Sequence, residues 1–152
     1  MKKHIELPDE SSENGTVEAL RNTYRTLDRR ITSLLSARGL TRPQFLALKV
    51  VSDGVSVPMN KISDYLSVTP GNVTGIIDRL VKSGILRRKG KAGDRRKIMI
   101  ELTRKGKETY MNVLSSYTSF LEKVLQELNA KERRELKKHL TKLEEALNRA
   151  DI

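Results

Sequence analysis

The sequence predicts a mainly α protein with one small β-hairpin, on three observations. Apolar residues recur at steps of three and four through most of the chain, as amphipathic helices require. One short stretch, Ile98 to Leu102, instead alternates apolar and polar residues with the period of a half-buried strand. Just before and into that stretch, residues 79–97 hold nine Lys and Arg against Asp94 alone, a net +8 of the +11 carried by all 152 residues.

The elements follow in order. Residues 1–15 are polar and are expected to form a flexible arm, because they cannot bury enough apolar surface to order themselves. From Thr16, read as an N-cap, the stripe Val17, Leu20, Tyr24, Leu27, Ile31 and Leu34 marks one long helix that Gly39 ends. Thr41 and Gln44 form a capping box for a short buried helix around Phe45, Leu48 and Val51, terminated at Asp53-Gly54. Pro58 pre-sets the next helix, whose face is Met59, Ile62 and Leu66. Ser67-Val-Thr69 then interrupts the run. Thr69 as N-cap and Pro70 at the first helical position launch a helix with the stripe Val73, Ile76, Ile77, Leu80 and Val81, closed by Gly84.

Two short helices across a tight turn are either a helix-turn-helix or plain core packing. The next residues favour the first. Ile85 to Arg88 can pair with the strand ending at Leu102, and Lys89 to Asp94, with two glycines and little apolar mass, reads as a projecting tip. Thr103 caps a further helix of about 25 residues, roughly 38 Å, more than such a small core needs. Its stripe is Tyr110, Leu114, Tyr117, Leu121, Val124 and Leu128, and Leu136, Leu140, Leu143 and Leu147 continue the spacing beyond Asn129. These helices either fold back on the first helix or pack against a second subunit; their length favours the subunit. The fold class is thus mainly α with a small two- to three-stranded β-wing: a winged helix-turn-helix plus long N- and C-terminal helices. The expected organisation is an arm over 1–15 and a single domain over 16–152, in which 41–103 form the winged lobe between the helical segments 16–38 and 104–152.

Composition excludes several classes of function. The chain has no cysteine, hence no disulfide, thiolate metal site or thiol sensor. His4 and His139 lie far apart and suggest no metal centre, and no cofactor is expected. Gly90-Lys91 lacks the spacing of a phosphate-binding loop, and no nucleophile-base pair or carboxylate constellation marks an enzyme. No apolar run approaches a membrane span, so the expected location is cytoplasmic, with no membrane partner. A clustered positive charge calls for a polyanion, and the element order makes that polyanion double-stranded DNA.

On the helix from Pro70, the face opposite the apolar stripe gathers Gly71, Thr74, Gly75, Asp78, Arg79 and Lys82, with Asn72 at its edge. Thr69, Asn72, Thr74 and Arg79 are the candidates for contacts in a major groove, since an amide suits adenine and a guanidinium fork suits guanine. Asn72 serves either a base or the cap, and Arg79 either a base or an ion pair. Gly71 and Gly75 would let the backbone approach DNA. In the wing, Arg95 is the candidate for a minor groove, with Arg88, Lys89, Lys91 and Arg96 on phosphates. Asp94 is expected to orient the wing by pairing with Arg79 or with the hairpin itself.

The run Val73-Thr-Gly-Ile-Ile-Asp-Arg-Leu80, then Gly84-Ile-Leu-Arg87, Asp94-Arg-Arg96, Leu102-Thr103 and Gly106, resembles the MarR (multiple-antibiotic-resistance regulator) family of winged-helix transcription factors. The likeness extends from the first long helix to the last. It implies a homodimer built from N- and C-terminal dimerisation helices, 16–38 and 104–152, a recognition helix starting at Thr69, and a wing whose Asp94 orients Arg95. It further implies a repressor, less often an activator, on a pseudo-palindromic operator. Its DNA affinity would fall when a small aromatic or amphipathic molecule binds between the dimerisation helices and the DNA-binding lobe, where Arg21 and Tyr24 are the residues available. Gly75 departs from the basic or polar residue common after the threonine, so the base preference would differ.

Overall fold

The computed structural model describes residues 12–91 and 94–150; for 12–14, 91 and 94–97 it describes the backbone alone. The chain forms two units that meet within one helix, the first ending at Val113 and the second beginning at Leu114.

The first unit contains α1 (Ser12–Ser36), α2 (Arg42–Ser52), β1 (Val57–Pro58), α3 (Met59–Leu66), α4 (Pro70–Lys82), β2 (Leu86–Lys91), β3 (Asp94–Leu102) and the start of α5 (Arg104–Leu125). Helix α1 begins at Ser12, so Thr16 lies within it rather than at its cap, and residues 12–15 are helical rather than part of an arm. Extending an existing helix by a turn costs little once it is nucleated, and Gly15 alone, at about 1 kcal/mol relative to Ala, does not stop it. Residues 1–11 of the expected arm lie outside the described residues.

Helix α2 starts on the capping box read from the sequence: the Thr41 hydroxyl accepts from the Gln44 N–H while Gln44 Oε1 accepts from the Thr41 N–H at 2.8 Å. Arg42 forms an ion pair with Asp28 that ties α2 to α1. Helix α3 is capped by Pro58 and ends at Ser67, whose φ of 51° is the left-handed conformation. This residue makes the tight turn into α4. Helix α4 starts on Thr69 and ends before Gly84 at φ 73°, with the Ile85 N–H reaching back to the Leu80 carbonyl at 2.9 Å. Such a closure needs the left-handed region, which glycine adopts without strain.

The three strands form one antiparallel sheet in the order β1-β3-β2. Val57 pairs with Ile100, and Leu86 pairs with Leu102. Both strands of the hairpin run farther than the sequence suggests, so Lys89, Gly90 and Asp94 belong to strands and not to the tip. The ladder is regular as far as Gly90 opposite Ile98, but Lys91 then stands opposite Asp94, which puts Arg95, Arg96 and Lys97 in a bulge. Glycine next to a bulge is a tolerated strand residue, and counting glycines alone overestimates the turn.

Ile62, Ile77, Leu80, Leu86 and Ile100 are fully buried between the helices and the sheet, and Phe45 stacks on Tyr110 of α5 at 5.9 Å. The start of α5 is fixed to the end of α4 with unusual closeness. The Thr103 hydroxyl donates to the Gly84 carbonyl at 2.6 Å and accepts from the Gly106 N–H at 3.0 Å. Lys105 Nζ donates to the Ser83 carbonyl at 2.7 Å, a cation on the negative end of α4. A Cβ at Gly106 would lie 2.1 Å from the Ile85 carbonyl oxygen.

The second unit comprises the remainder of α5 and α6 (Ala130–Arg149). Asn129 caps α6 in a second capping box, with Glu132. Helix α6 has no buried residue: Leu136, Leu140, Leu143 and Leu147 line one face and are 38% to 72% exposed.

Candidate nucleic-acid interface

Helix α4 presents the face expected of it. Asn72, Thr74, Asp78, Arg79 and Lys82 are exposed while Val73, Ile77 and Leu80 are buried behind them. The Thr69 oxygen accepts from the backbone N–H of Asn72 at 3.4 Å, so the cap takes the backbone of Asn72 and leaves its amide. The Thr74 hydroxyl donates to the Pro70 carbonyl at 2.9 Å. That bond occupies its proton, so the side chain can offer a base its methyl group or accept through its oxygen, but cannot donate. Arg79 makes no ion pair with another described side chain, and the side chain of Asp94, the partner expected of it, lies outside the described residues. A Cβ at Gly71 or at Gly75 would meet nothing within 4 Å, so neither glycine is required by packing.

The hairpin stands beside this face, and its root carries two ion-pair systems that the charge count ending at residue 97 misses. Arg88 of β2 reaches Asp78 at 2.5 Å, tying the wing to α4. Both partners are substantially exposed, so solvent screens the pair. On the other face of the hairpin, Arg87 and Lys89 converge on Glu101 of β3. Arg87 donates twice to Glu101 Oε2, at 2.9 and 2.7 Å, and Lys89 Nζ lies 3.4 Å from Oε1. The Arg87 guanidinium is the main cause holding the Glu101 carboxyl below its ordinary value of 4.5, with Lys89 adding to it. Pairing of this sign stabilises the fold above that ordinary value and is lost as the pH falls through and below it.

Arg88 and Lys89, read from the sequence as phosphate contacts, are thus internally paired. The pairing of Asp78 with Arg88 and of Arg87 with Glu101 is not among the contacts expected from the sequence. Arg87 stands directly opposite Glu101 in the strand register, a signal available once the hairpin is aligned. The side chains of Lys91, Asp94, Arg95 and Arg96 lie outside the described residues, and with them the expected pairing of Asp94. Arg21 and Tyr24 are exposed on α1, Tyr24 by 62%.

Between α3, the start of α4 and the wing root lies a hollow of about 540 Å³. Met59, Pro70, Val73 and Ile98 supply apolar walls, and Thr74 and Arg88 sit at its edge. Among the described residues no cluster of His, Asp or Glu could hold a metal ion, and no helix is long and apolar enough to cross a membrane.

A helix-turn-helix followed by a basic antiparallel hairpin is the winged arrangement, and the sequence profile of the MarR family matches residues 40–98, which span α2, the helix-turn-helix and most of the hairpin. Over these residues the chain is similar to the MarR family. The chain is 29% identical over 115 residues to the HTH-type transcriptional repressor YetL of Bacillus subtilis, covering 74% of the chain and 69% of that repressor. Its fold is that of a MarR family protein from Bacillus stearothermophilus, at a TM-score of 0.77 and 22% identity, covering 94% of this chain and 100% of that one. The apo form of E. coli MarR superposes with a TM-score of 0.70 at 24% identity, covering 83% and 94% of the two chains. The chain is a DNA-binding transcription regulator, and its relatives are named as regulators rather than enzymes.

Proposed function

We propose that the regulator is a homodimeric, cytoplasmic repressor that inserts α4 into the major groove of a pseudo-palindromic operator while the wing tracks the flanking backbone. The observation that carries this reading is the exposed polar face of α4 beside a hairpin whose cations outnumber its acids. Arg79, Asn72 and the Thr74 methyl would read bases and Thr69 would hold a phosphate, while Lys91, Arg95 and Arg96 would supply charge from the wing. Asp94 would set the wing's direction. The leucine face of α6, exposed on a folded helix, supports association through the terminal helices over an intramolecular fold.

A small aromatic acid is the effector class that suits the hollow beside α4, because a ring would fill its apolar walls and a carboxylate would draw Arg88 from Asp78. Arg21 and Tyr24 remain available for a second contact surface.

The reading is tested by titrating operator DNA with Arg79→Ala and Lys82→Ala variants, with and without benzoate. Arg79→Ala is expected to weaken binding by about 1 to 3 kcal/mol and to relax preference at one base pair. Lys82→Ala is expected to weaken all sequences alike and to flatten the salt dependence. Equal effects of the two variants on every sequence would refute base reading by α4.

A further inference from the structure

Nine cations between residues 79 and 97 are not equally available to DNA. We propose that Glu101 is an internal counter-ion of the wing root, which withholds Arg87 and Lys89 from phosphate and so limits binding to unrelated DNA. This rests on the reading of the wing as a phosphate-binding element.

The geometry separates the cations by partner. Arg79 has no ion pair among the described residues, and Arg88 has a partner, Asp78, that water reaches freely. Arg87 and Lys89 differ. Their side chains are 62% and 65% exposed, yet both are anchored on a carboxylate whose side chain is only 9% exposed. Each carboxylate oxygen has its own cation, Oε2 with Arg87 and Oε1 with Lys89. Moving either cation to a phosphate would leave part of a buried negative charge unpaired, which costs far more than a screened surface contact returns. The exchange is therefore unfavourable, although both cations face solvent.

The arrangement follows from strand register. Arg87 lies opposite Glu101, and Lys89, two residues on, projects from the same face of β2. Glu101 breaks the alternation that puts polar strand residues in solvent: it is 6% exposed, beside the fully buried Ile100. A carboxylate under two cations at the base of a DNA-binding hairpin lowers the local positive field in which phosphate is attracted. It leaves the outer wing and α4 as the regions that meet DNA, where discrimination between sequences is possible.

The test is the salt dependence of binding to a short duplex of scrambled sequence, measured with the full chain for the parent protein, for Glu101→Gln, and for the triple variant Arg87→Ala/Lys89→Ala/Glu101→Gln. Freeing the cations is expected to steepen the slope of log K against log salt by about 1 to 2 in Glu101→Gln. The triple variant should return to the parental slope, since the parent already keeps these cations from phosphate. A purely structural ion pair would alter the melting temperature and leave the slopes alike. An unchanged slope in Glu101→Gln would overturn the proposal. So would a triple variant shallower than the parent by about 1 to 2, because the cations would then already be on phosphate. The triple variant buries no unpaired charge, so this second comparison stands even if Glu101→Gln does not fold. Arg95→Ala/Arg96→Ala, measured alongside, tests the wing itself: an unchanged slope there would refute the wing reading independently of Glu101.

Discussion

Gly106→Ala is expected to lower the stability of the first unit by about 3 kcal/mol, from overpacking and from the loss of neighbouring hydrogen bonds. The added methyl would meet the Ile85 carbonyl oxygen at 2.1 Å and the Leu102 side chain at 3.0 Å. A side chain could swing aside; that carbonyl cannot easily do so. Its oxygen accepts from the Thr103 N–H at 3.1 Å, and the preceding carbonyl of Gly84 holds the Thr103 hydroxyl. Relief of the clash must therefore move the start of α5 away from the α4 closure, and the position of the recognition helix with it. Gly75→Ala is the contrasting case. Its Cβ would enter open space, so the fold should gain up to about 1 kcal/mol. If the backbone of α4 approaches DNA at this turn, the same methyl weakens operator binding. Urea unfolding checks both: the midpoint should fall for Gly106→Ala and rise for Gly75→Ala at constant m. An unaltered midpoint for Gly106→Ala would contradict the close approach.

Leu140→Glu is expected to convert the proposed dimer to a monomer and to reduce affinity for a two-fold site by about 100-fold or more, because the second half-site is then no longer tethered to the first. Leu140 is central in the leucine face and lines a groove of about 370 Å³ between the end of α5 and α6, with Leu125 and Leu136 beside it. Covering a half-exposed leucine contributes roughly 1 kcal/mol, whereas burying a carboxylate there without a partner costs several. Lys138→Glu, on the opposite face of α6, is the control for charge alone. Light scattering should give a monomer mass for Leu140→Glu and a dimer mass for Lys138→Glu. A dimer mass for both would place the subunit contact elsewhere.

Local chemistry made much of the fold legible. Capping residues at Thr41, Thr69 and Thr103 and a left-handed closure at Gly84 define helix ends within a few residues of chain, and these ends hold in the structure. The start of α1 was missed because helix extension is cheap and no residue there forbids it. Strand β1 has two residues, too few for a period, and exists only because Val57 and Pro58 lie against Ile100 and Met99. Gly106 carried a family likeness but no local reason for being glycine; its reason is a carbonyl 21 positions earlier in the chain.

At the interface, the exposed face of α4 was readable from a 100° step per residue, while the ion pairs were not. Charge was counted along the chain, yet Asp78 and Glu101, just outside the basic run, reach it across space. The wing root is consequently less cationic than its composition suggests.

Selection of bound duplexes from a random pool by the full-length chain tests the central claim most directly. The expected result is a site with dyad symmetry whose half-sites lie about 10 base pairs apart, centre to centre, as two recognition helices on one face of B-DNA require. An enriched site without dyad symmetry, or a pool that shows no enrichment, would contradict it.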